Sequence, residues 1–251
     1  MISIRASKSF TGQSGQLSVF ENLDLEILEG EFVCIVGRSG CGKSTLLRII
    51  ARLEDATSGG VSFGWASGNA GTVGFVFQES GLFPWRTVWD NVKLGLQIRG
   101  VARDELRRRV TAILDIVGLR GFEDYYPYQL SGGMAQRVAI ARAFVIDPDL
   151  LLMDEPFASL DTHTRADMHV ELLRVWQAFK KTVVFVTHNV DEAVFLADRV
   201  VVLAGRPASV RVDLGIDLPR PRRRFGTDEI AHQEEIVKWL GAGSEPLPSE
   251  A

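Results

Sequence analysis

Gly37-Arg38-Ser39-Gly40-Cys41-Gly42-Lys43-Ser44-Thr45 has the spacing G-x-x-x-x-G-K-[ST], which builds a cradle for phosphate. Glycines permit the dihedrals that turn successive backbone N–H groups toward one anion. The helix that follows adds its positive N-terminal end. Lys43 would neutralise charge on the β- and γ-phosphates, and Ser44 would offer its hydroxyl oxygen to Mg²⁺. All nine residues are candidate contacts for a nucleoside triphosphate. Cys41, close to Lys43 among inward N–H groups, is expected to favour the thiolate and to react with a maleimide unless nucleotide protects it; the alternative is a buried, inert thiol.

Two further segments extend this chemistry. Leu150-Leu151-Leu152-Met153-Asp154-Glu155-Pro156 is an apolar strand that ends in two carboxylates. Ligands of parallel sheets gather at the carboxyl ends of the strands. Asp154 there suits Mg²⁺, directly or through water. Glu155 suits the polarisation of a water that attacks a γ-phosphate. Taken alone, the pair would be a solvated turn; beside a phosphate loop it reads as catalytic. Ser131-Gly132-Gly133 opens an amphipathic helix carrying Val138, Ala141 and Phe144. It offers a hydroxyl and bare backbone at a helix N-terminus, which is a second anion site or an ordinary serine cap. No N-K-x-D motif for reading guanine is present. Phe10, in the otherwise polar stretch 7–15, is a candidate to stack on adenine; the alternative is a phenylalanine packing at the sheet edge.

These segments need a frame. Short apolar runs at Ile2–Ile4, Leu17–Phe20 and Leu23–Ile27 predict strands, with a loop at 12–15. Glu31–Val36 predicts a buried strand leading into the cradle and the helix pattern Leu46, Leu47, Ile49, Ile50. Residues 59–74 predict loops around a short strand, and Thr72–Phe77 another strand. Residues 85–144 read as mostly helical: Leu106, Val110, Ile113, Leu114 and Val117 share one face, and Arg107–Arg109 form a solvated one. Strands return at Leu150–Met153, Val183–Thr187 and Val200–Leu203. A helix with the stripe Met168, Leu172, Trp176 and Phe179 lies between, and a last short helix is expected from a Thr227 cap. Alternating strands and helices predict an α/β fold with a mostly parallel sheet; the helical block predicts a second lobe.

Composition excludes several classes. With 28 Lys+Arg against 32 Asp+Glu, the net charge is −4 over 251 residues, so a basic nucleic-acid binder is not expected. Mean hydropathy is +0.07, yet the longest apolar runs, Val183–Val186 and Val200–Ala204, fall far short of the ~20 residues of a membrane helix. Residues 1–20 lack a signal-peptide core. Cys34 and Cys41 are too few for a disulfide framework. A cytosolic chain is expected.

Over roughly residues 1–205 the sequence resembles the ATP-binding cassette of ABC transporters. The phosphate loop, Gln78, Leu130–Gly133, Asp154-Glu155, Ser159-Leu160-Asp161 and Thr187-His188 occur in that family's order. The resemblance implies an ABC ATPase fold: a mostly parallel core sheet, an N-terminal antiparallel β subdomain and an inserted helical lobe at about 85–145. Residues 206–251 would be a short C-terminal extension. It implies ATP hydrolysis with ATP and Mg²⁺, in a head-to-tail homodimer. Each ATP would lie between one protomer's phosphate loop and the other's Ser131, Gly132 and Gly133, with Asp161 contacting across the dimer. The implied catalytic set is Glu155, His188 at the γ-phosphate, Gln78 and Lys43; the implied metal set is Ser44, Gln78 and Asp154.

Phe83-Pro84-Trp85-Arg86-Thr87-Val88 and Pro219-Arg220-Pro221-Arg222 are similar to segments of the nitrate/sulfonate/taurine importer group. That resemblance implies separate membrane permease subunits, an extracytoplasmic solute-binding protein and a place on the cytoplasmic face of the membrane. Trp85 and Trp89 are candidates to line the groove for the permease, or to pack inside the helical lobe. Two other readings are a soluble cassette of metal-cluster assembly or DNA repair, and a nucleotide-dependent partner with negligible turnover. Repair cassettes carry long coiled-coil insertions, which this sequence lacks.

Overall fold

In a computed structural model, residues 1–12, 15–65, 71–222 and 226–241 are described. The chain forms two compact units, residues 1–66 with 186–251 and residues 67–185. The first opens with β1 (Ile2–Gly12), β2 (Gly15–Ile27), β3 (Phe32–Gly37), α1 (Lys43–Ile50) and β4 (Ser58–Phe63). The second holds β5 (Val73–Val76), α2 (Val88–Ile98), α3 (Arg103–Ile116), α4 (Gly132–Phe144), β6 (Leu150–Asp154) and α5 (Thr162–Phe179). The chain passes back to the first unit within β7 (Thr182–Thr187), and continues with α6 (Val190–Leu196), β8 (Arg199–Ala204), β9 (Ser209–Gly215) and α7 (Thr227–Gly241).

The expected N-terminal antiparallel sheet has the order β2-β1-β4, with Ile2 opposite both Ile27 and Phe63. Its strands alternate: Ile2, Ile4 and Ala6 are buried, as are Leu23, Leu25 and Ile27, while Ser3, Arg5, Asp24 and Glu26 point away. The two strand segments read at 17–27 are one strand, whose pairing with β1 shifts register between Ala6 and Ser9. The loop expected at 12–15 and the loops expected at 59–74 fall partly on residues 13–14 and 66–70, outside the described residues.

Parallel pairing appears in each unit as expected, β3 with β8 in the first and β5 with β6 in the second. β3 and β6 are buried along their whole length, as strands covered on both faces are. β9 pairs antiparallel with β8; the sequence reading did not mark it, because Arg211 and Asp213 interrupt its apolar run. Val110, Ile113 and Leu114 on α3, and Val117 just after it, are buried as the period requires, with Leu106 half-buried; Arg107 and Arg108 are exposed, while Arg109 is half-buried. α7 begins at Thr227, so Thr227 is its first residue and not the cap expected before it; the Ile230 N–H donates to the Gly226 carbonyl. Residues 223–225, which follow the Pro219–Arg222 segment, lie outside the described residues.

Candidate active site

In the first unit, β3 delivers the chain into the turn at 37–42, and α1 starts at Lys43. Gly42 precedes α1 with φ 102° and makes no side-chain cap. A Cβ there would lie 2.4 Å from Val19 Cγ1, so the left-handed turn and the close approach of β2 both demand glycine. No side chain caps the start of α1, and a helix N-terminus without a side-chain cap is the positive end that suits an anion. Lys43 is only 4% exposed, and its Nζ donates to the carbonyls of Gly37 (2.8 Å) and Arg38 (3.2 Å). The ammonium is thereby held across the mouth of the turn. Arg38, Ser39 and Gly40 are exposed, and Ser44 and Thr45 half-buried, along this turn and the first turn of α1. Cys41 is 8% exposed. The reactivity expected of it is corrected on this point, because a thiol attacks a reagent only where it is accessible.

Phe10 lies on β1 opposite Leu17 of β2, the strand whose Val19 abuts Gly42. Its ring is 42% exposed, and the Lys8 ammonium sits 4.6 Å from the centroid, a cation–π distance. The ring is therefore accessible, on a strand paired with the one that abuts the phosphate turn. His188, exposed, follows β7 directly. Its neighbours are tied down: Thr187 Oγ1 donates to Glu192 Oε2 at 2.5 Å and accepts from the Asn189 N–H at 3.0 Å. Asn189 caps α6 by accepting from the N–H groups of Asp191 and Glu192.

In the second unit Asp154, 6% exposed, ends β6, and Glu155 follows at φ 42°. For a residue of this size the left-handed region costs about 1–3 kcal/mol and is held only where the surroundings impose it. They do so here. The Ala158 N–H donates to the Glu155 carbonyl at 3.1 Å, and Arg165 donates to the carbonyls of Phe157 (3.2 Å) and Leu160 (2.7 Å). Phe157 is fully buried against the rings of His169 and Phe185. The turn that aims Glu155 is therefore anchored from both sides.

Ser131 caps α4, accepting from the Met134 N–H at 3.3 Å, and Ser131 and Gly132 are exposed. A Cβ on Gly133 would meet Thr164 Cγ2 at 2.7 Å, so the start of α4 presses on the first turn of α5. Asp161 caps α5 by accepting from the N–H groups of His163 and Thr164 at 3.0 and 3.1 Å. The Thr164 side chain and then these backbone bonds hold its carboxyl below the usual range. Gln78, exposed, follows β5. The loop behind it is tied to α4, because Arg142 donates to the carbonyls of Gly81 (2.8 Å) and Ser80 (2.9 Å). Burial lowers the Arg142 pKa.

The second unit thus gathers Ser131, Gly132, Gly133 and Asp161 at the facing ends of two helices, and the loop that follows Gln78 is tied to one of them. The first gathers the phosphate turn and the strands that carry Phe10. The ABC transporter family profile matches residues 20–158. This chain belongs to the ABC transporter family. Among relatives of this cassette, the nitrate import ATP-binding protein NrtD of Synechocystis is 44% identical over 239 residues, 93% of this chain and 89% of the relative. The aliphatic sulfonates import ATP-binding protein SsuB of Bacillus subtilis is 41% identical over 94% of this chain and 92% of its own length. A dimeric post-hydrolysis structure of the ATP-binding cassette MJ0796, bound to ADP and Pi, is similar with a TM-score of 0.75 and 32% identity, covering 87% of this chain and 100% of that one. The chain is an ABC ATPase with the cassette fold.

Sequence reading missed the residues that hold these loops. Asn91, fully buried, accepts from the Phe83 N–H (2.9 Å) and donates to the carbonyls of Phe83, Arg86 and Thr87 at 3.0–3.2 Å. The loop winds around it, and Trp85 is left 71% exposed. Trp89 is half-buried and lines a groove of about 530 Å³ with Lys93, Gln97 and Arg103. The only available signal for Asn91 was a polar residue on the apolar side of α2. Among the described residues no helix is long and apolar enough to cross a membrane.

Proposed function

We propose that this cassette hydrolyses ATP to power import of a small anion of the nitrate or sulfonate class through separate permease subunits. The observation that carries the reading is the exposed Phe83–Arg86 loop built on Asn91, in a chain 41–44% identical, over most of its length, to proteins named for nitrate and sulfonate import. Residues 1–205 form the nucleotide-binding domain with its helical lobe, and 206–251 an extension. Two copies work head to tail. ATP lies with its base on Phe10 and its phosphates on residues 37–45 of one protomer, closed by Ser131, Gly132 and Gly133 of the other, with Asp161 at the junction. The soluble cluster-assembly reading is not favoured, since it leaves Trp85 without a purpose.

Each residue has a defined task. Lys43 and the start of α1 bind the phosphates and offset their charge. Glu155 accepts a proton from the water that attacks the γ-phosphorus, as the bond to the β-phosphate oxygen breaks and ADP leaves. His188 donates to a γ-phosphate oxygen, and Gln78 orients the water. The donor set of Ser44 hydroxyl, Asp154 carboxylate and Gln78 amide oxygen is all hard oxygen, which fits Mg²⁺. When bound, the ion neutralises charge on the β- and γ-phosphate oxygens. The test is ATP-driven uptake of radiolabelled sulfonates, nitrate and uncharged solutes into vesicles that hold this protein with its permease and binding protein. Uptake of an uncharged solute alone, or of none with ATPase intact, would overturn the assignment.

A further inference from the structure

The proline-arginine segment Pro219–Arg222 and α7 meet α6 at its two ends. At the C-terminal end, Arg222 is 6% exposed and donates to the carbonyls of Val194 (2.6 Å), Ala197 (2.6 Å), Ile216 (3.0 Å) and Leu218 (3.2 Å). These include the last carbonyls of α6, which have no partner within the helix. Burial, then the charge of Arg220, pulls the Arg222 pKa down to about 10, so the group is still a cation at neutral pH and suits the negative end of a helix. Arg220 donates to the Leu196 carbonyl at 2.6 Å and is paired with Asp198. Asp198 also accepts from the Phe32 N–H at 3.0 Å, at the start of β3. At the N-terminal end of α6, Gln233 of α7 donates to Asp191 Oδ1 at 2.8 Å. α7 itself is anchored by the fully buried Ile236.

α6 has only 7 residues, about 10 Å of helix. A helix so short moves as one piece, and its first turn is bonded to the residues on either side of His188. Asn189 caps it, and Glu192, 4% exposed, accepts from Thr187. Of the two neighbours of His188, Asn189 thus belongs to the cap of α6, and Thr187, the last residue of β7, is hydrogen-bonded to its first turn.

We propose that the C-terminal extension, through Arg222 and Gln233, positions His188 by clamping α6 at both ends. Arg222 and Gln233 are positioning residues; His188 touches the phosphate. The proposal rests on the reading of His188 as the residue that meets the γ-phosphate. It gives the extension a task in hydrolysis as well as in stability. A displacement of about 1 Å in a residue that contacts the reacting group can cost up to ~10²-fold in rate, so a loosened α6 should be felt in the chemical step and not in nucleotide binding.

The test uses the full chain and single-turnover ATP hydrolysis, which reads slow rates, beside equilibrium affinity for an ATP analogue and thermal unfolding. Gln233→Glu sets a carboxylate against Asp191; Arg222→Lys keeps charge but not the planar fork that spans several carbonyls. Both should slow hydrolysis about tenfold with analogue affinity unchanged, and Gln233→Lys, which can still donate to Asp191, should restore most of the rate. In a His188→Ala background neither should slow it further. Gln233 is half-exposed, so its variants test the clamp even if Arg222→Lys does not fold. A wild-type rate in Gln233→Glu, measured well below its unfolding temperature, would overturn the proposal, as would losses that multiply with His188→Ala. A wild-type rate in His188→Ala would overturn the reading of His188, and the clamp with it. An impaired His188→Ala beside unaffected clamp variants would overturn the clamp alone.

Discussion

The Nζ of Lys43 lies 2.8 Å from the carbonyl oxygen of Gly37, so the first and seventh residues of the phosphate turn are joined by a charged hydrogen bond. The ammonium is thereby fixed within the turn while keeping the charge that a phosphate needs opposite it. Lys43→Ala removes the only ammonium of this turn. Charged hydrogen bonds are each worth about 1.5–3 kcal/mol, so affinity for ATP should fall roughly 10- to 100-fold. Fluorescence titration with a labelled ATP analogue measures it, and unchanged affinity would refute the cradle.

Ser131→Arg places a long cationic side chain where α4 begins. It should abolish cooperative ATPase activity and leave nucleotide binding by the isolated protomer intact. Loss of the cap at Met134 costs about 1 kcal/mol, a fall of about 2–4 °C in Tm for a chain of this size. Calorimetry and steady-state hydrolysis separate the two effects. Hydrolysis at the wild-type rate would remove Ser131 from the site.

Trp85 and Asn91 divide one loop into an outer and an inner part. Trp85→Ala deletes a ring that is 71% exposed, so Tm should stay within about 1 °C. Transport into vesicles should drop while hydrolysis continues. Asn91→Ala should instead unfold the loop, because three carbonyls and one N–H lose a buried partner. A cost of about 2–3 kcal/mol, or roughly 5–10 °C in Tm, is expected. If Trp85→Ala lowers Tm as much as Asn91→Ala, Trp85 is a packing residue.

Asp161 gives a pH signature. Its folded pKa is depressed below 3.8, mainly by Thr164. The contribution of the ionised group is therefore fully present above that value and fades as pH falls from it through the lower folded pKa. Asp161→Asn keeps a cap without the charge. The difference in urea midpoint between the two proteins should be constant from pH 7 to 5 and shrink below about pH 4. A difference independent of pH would mean that the carboxylate charge adds nothing to the cap.

The elements assigned to phosphate in the proposed function were legible as local structure because their chemistry is local. A glycine turn, a serine cap and a strand ending in carboxylates each span fewer than ten residues, and their spacing is their geometry. The residues that aim them were not. Asn91, Arg142, Arg165 and Arg222 act by donating to carbonyl oxygens, and every residue in a chain has a carbonyl. No pattern of residue types marks which carbonyls an arginine will reach. β9 was missed for a related reason, since its pairing with β8 is made by backbone groups while its side chains alternate with charges. Cys41 shows the opposite error. Its neighbours in sequence suggested a reactive thiol, and burial, a property of the folded turn, decided otherwise.

Glu155→Gln tests the central claim most directly. The amide has the shape of the carboxylate and sits at the same left-handed φ of 42°, so the backbone strain is unchanged and only the charge is lost. ATP and Mg²⁺ binding rest on other residues and should be retained. The chemical step should slow by at least ~10²-fold, the lower end of what a positioned general base contributes. A dimer that opens only after hydrolysis should then accumulate. Size-exclusion chromatography should show a protomer-sized peak that shifts to dimer size with ATP and not with ADP, together with single-turnover hydrolysis that is nearly silent. Normal turnover in Glu155→Gln would contradict the assignment of the catalytic carboxylate, and a slow variant that stays a protomer in ATP would contradict the closed dimer.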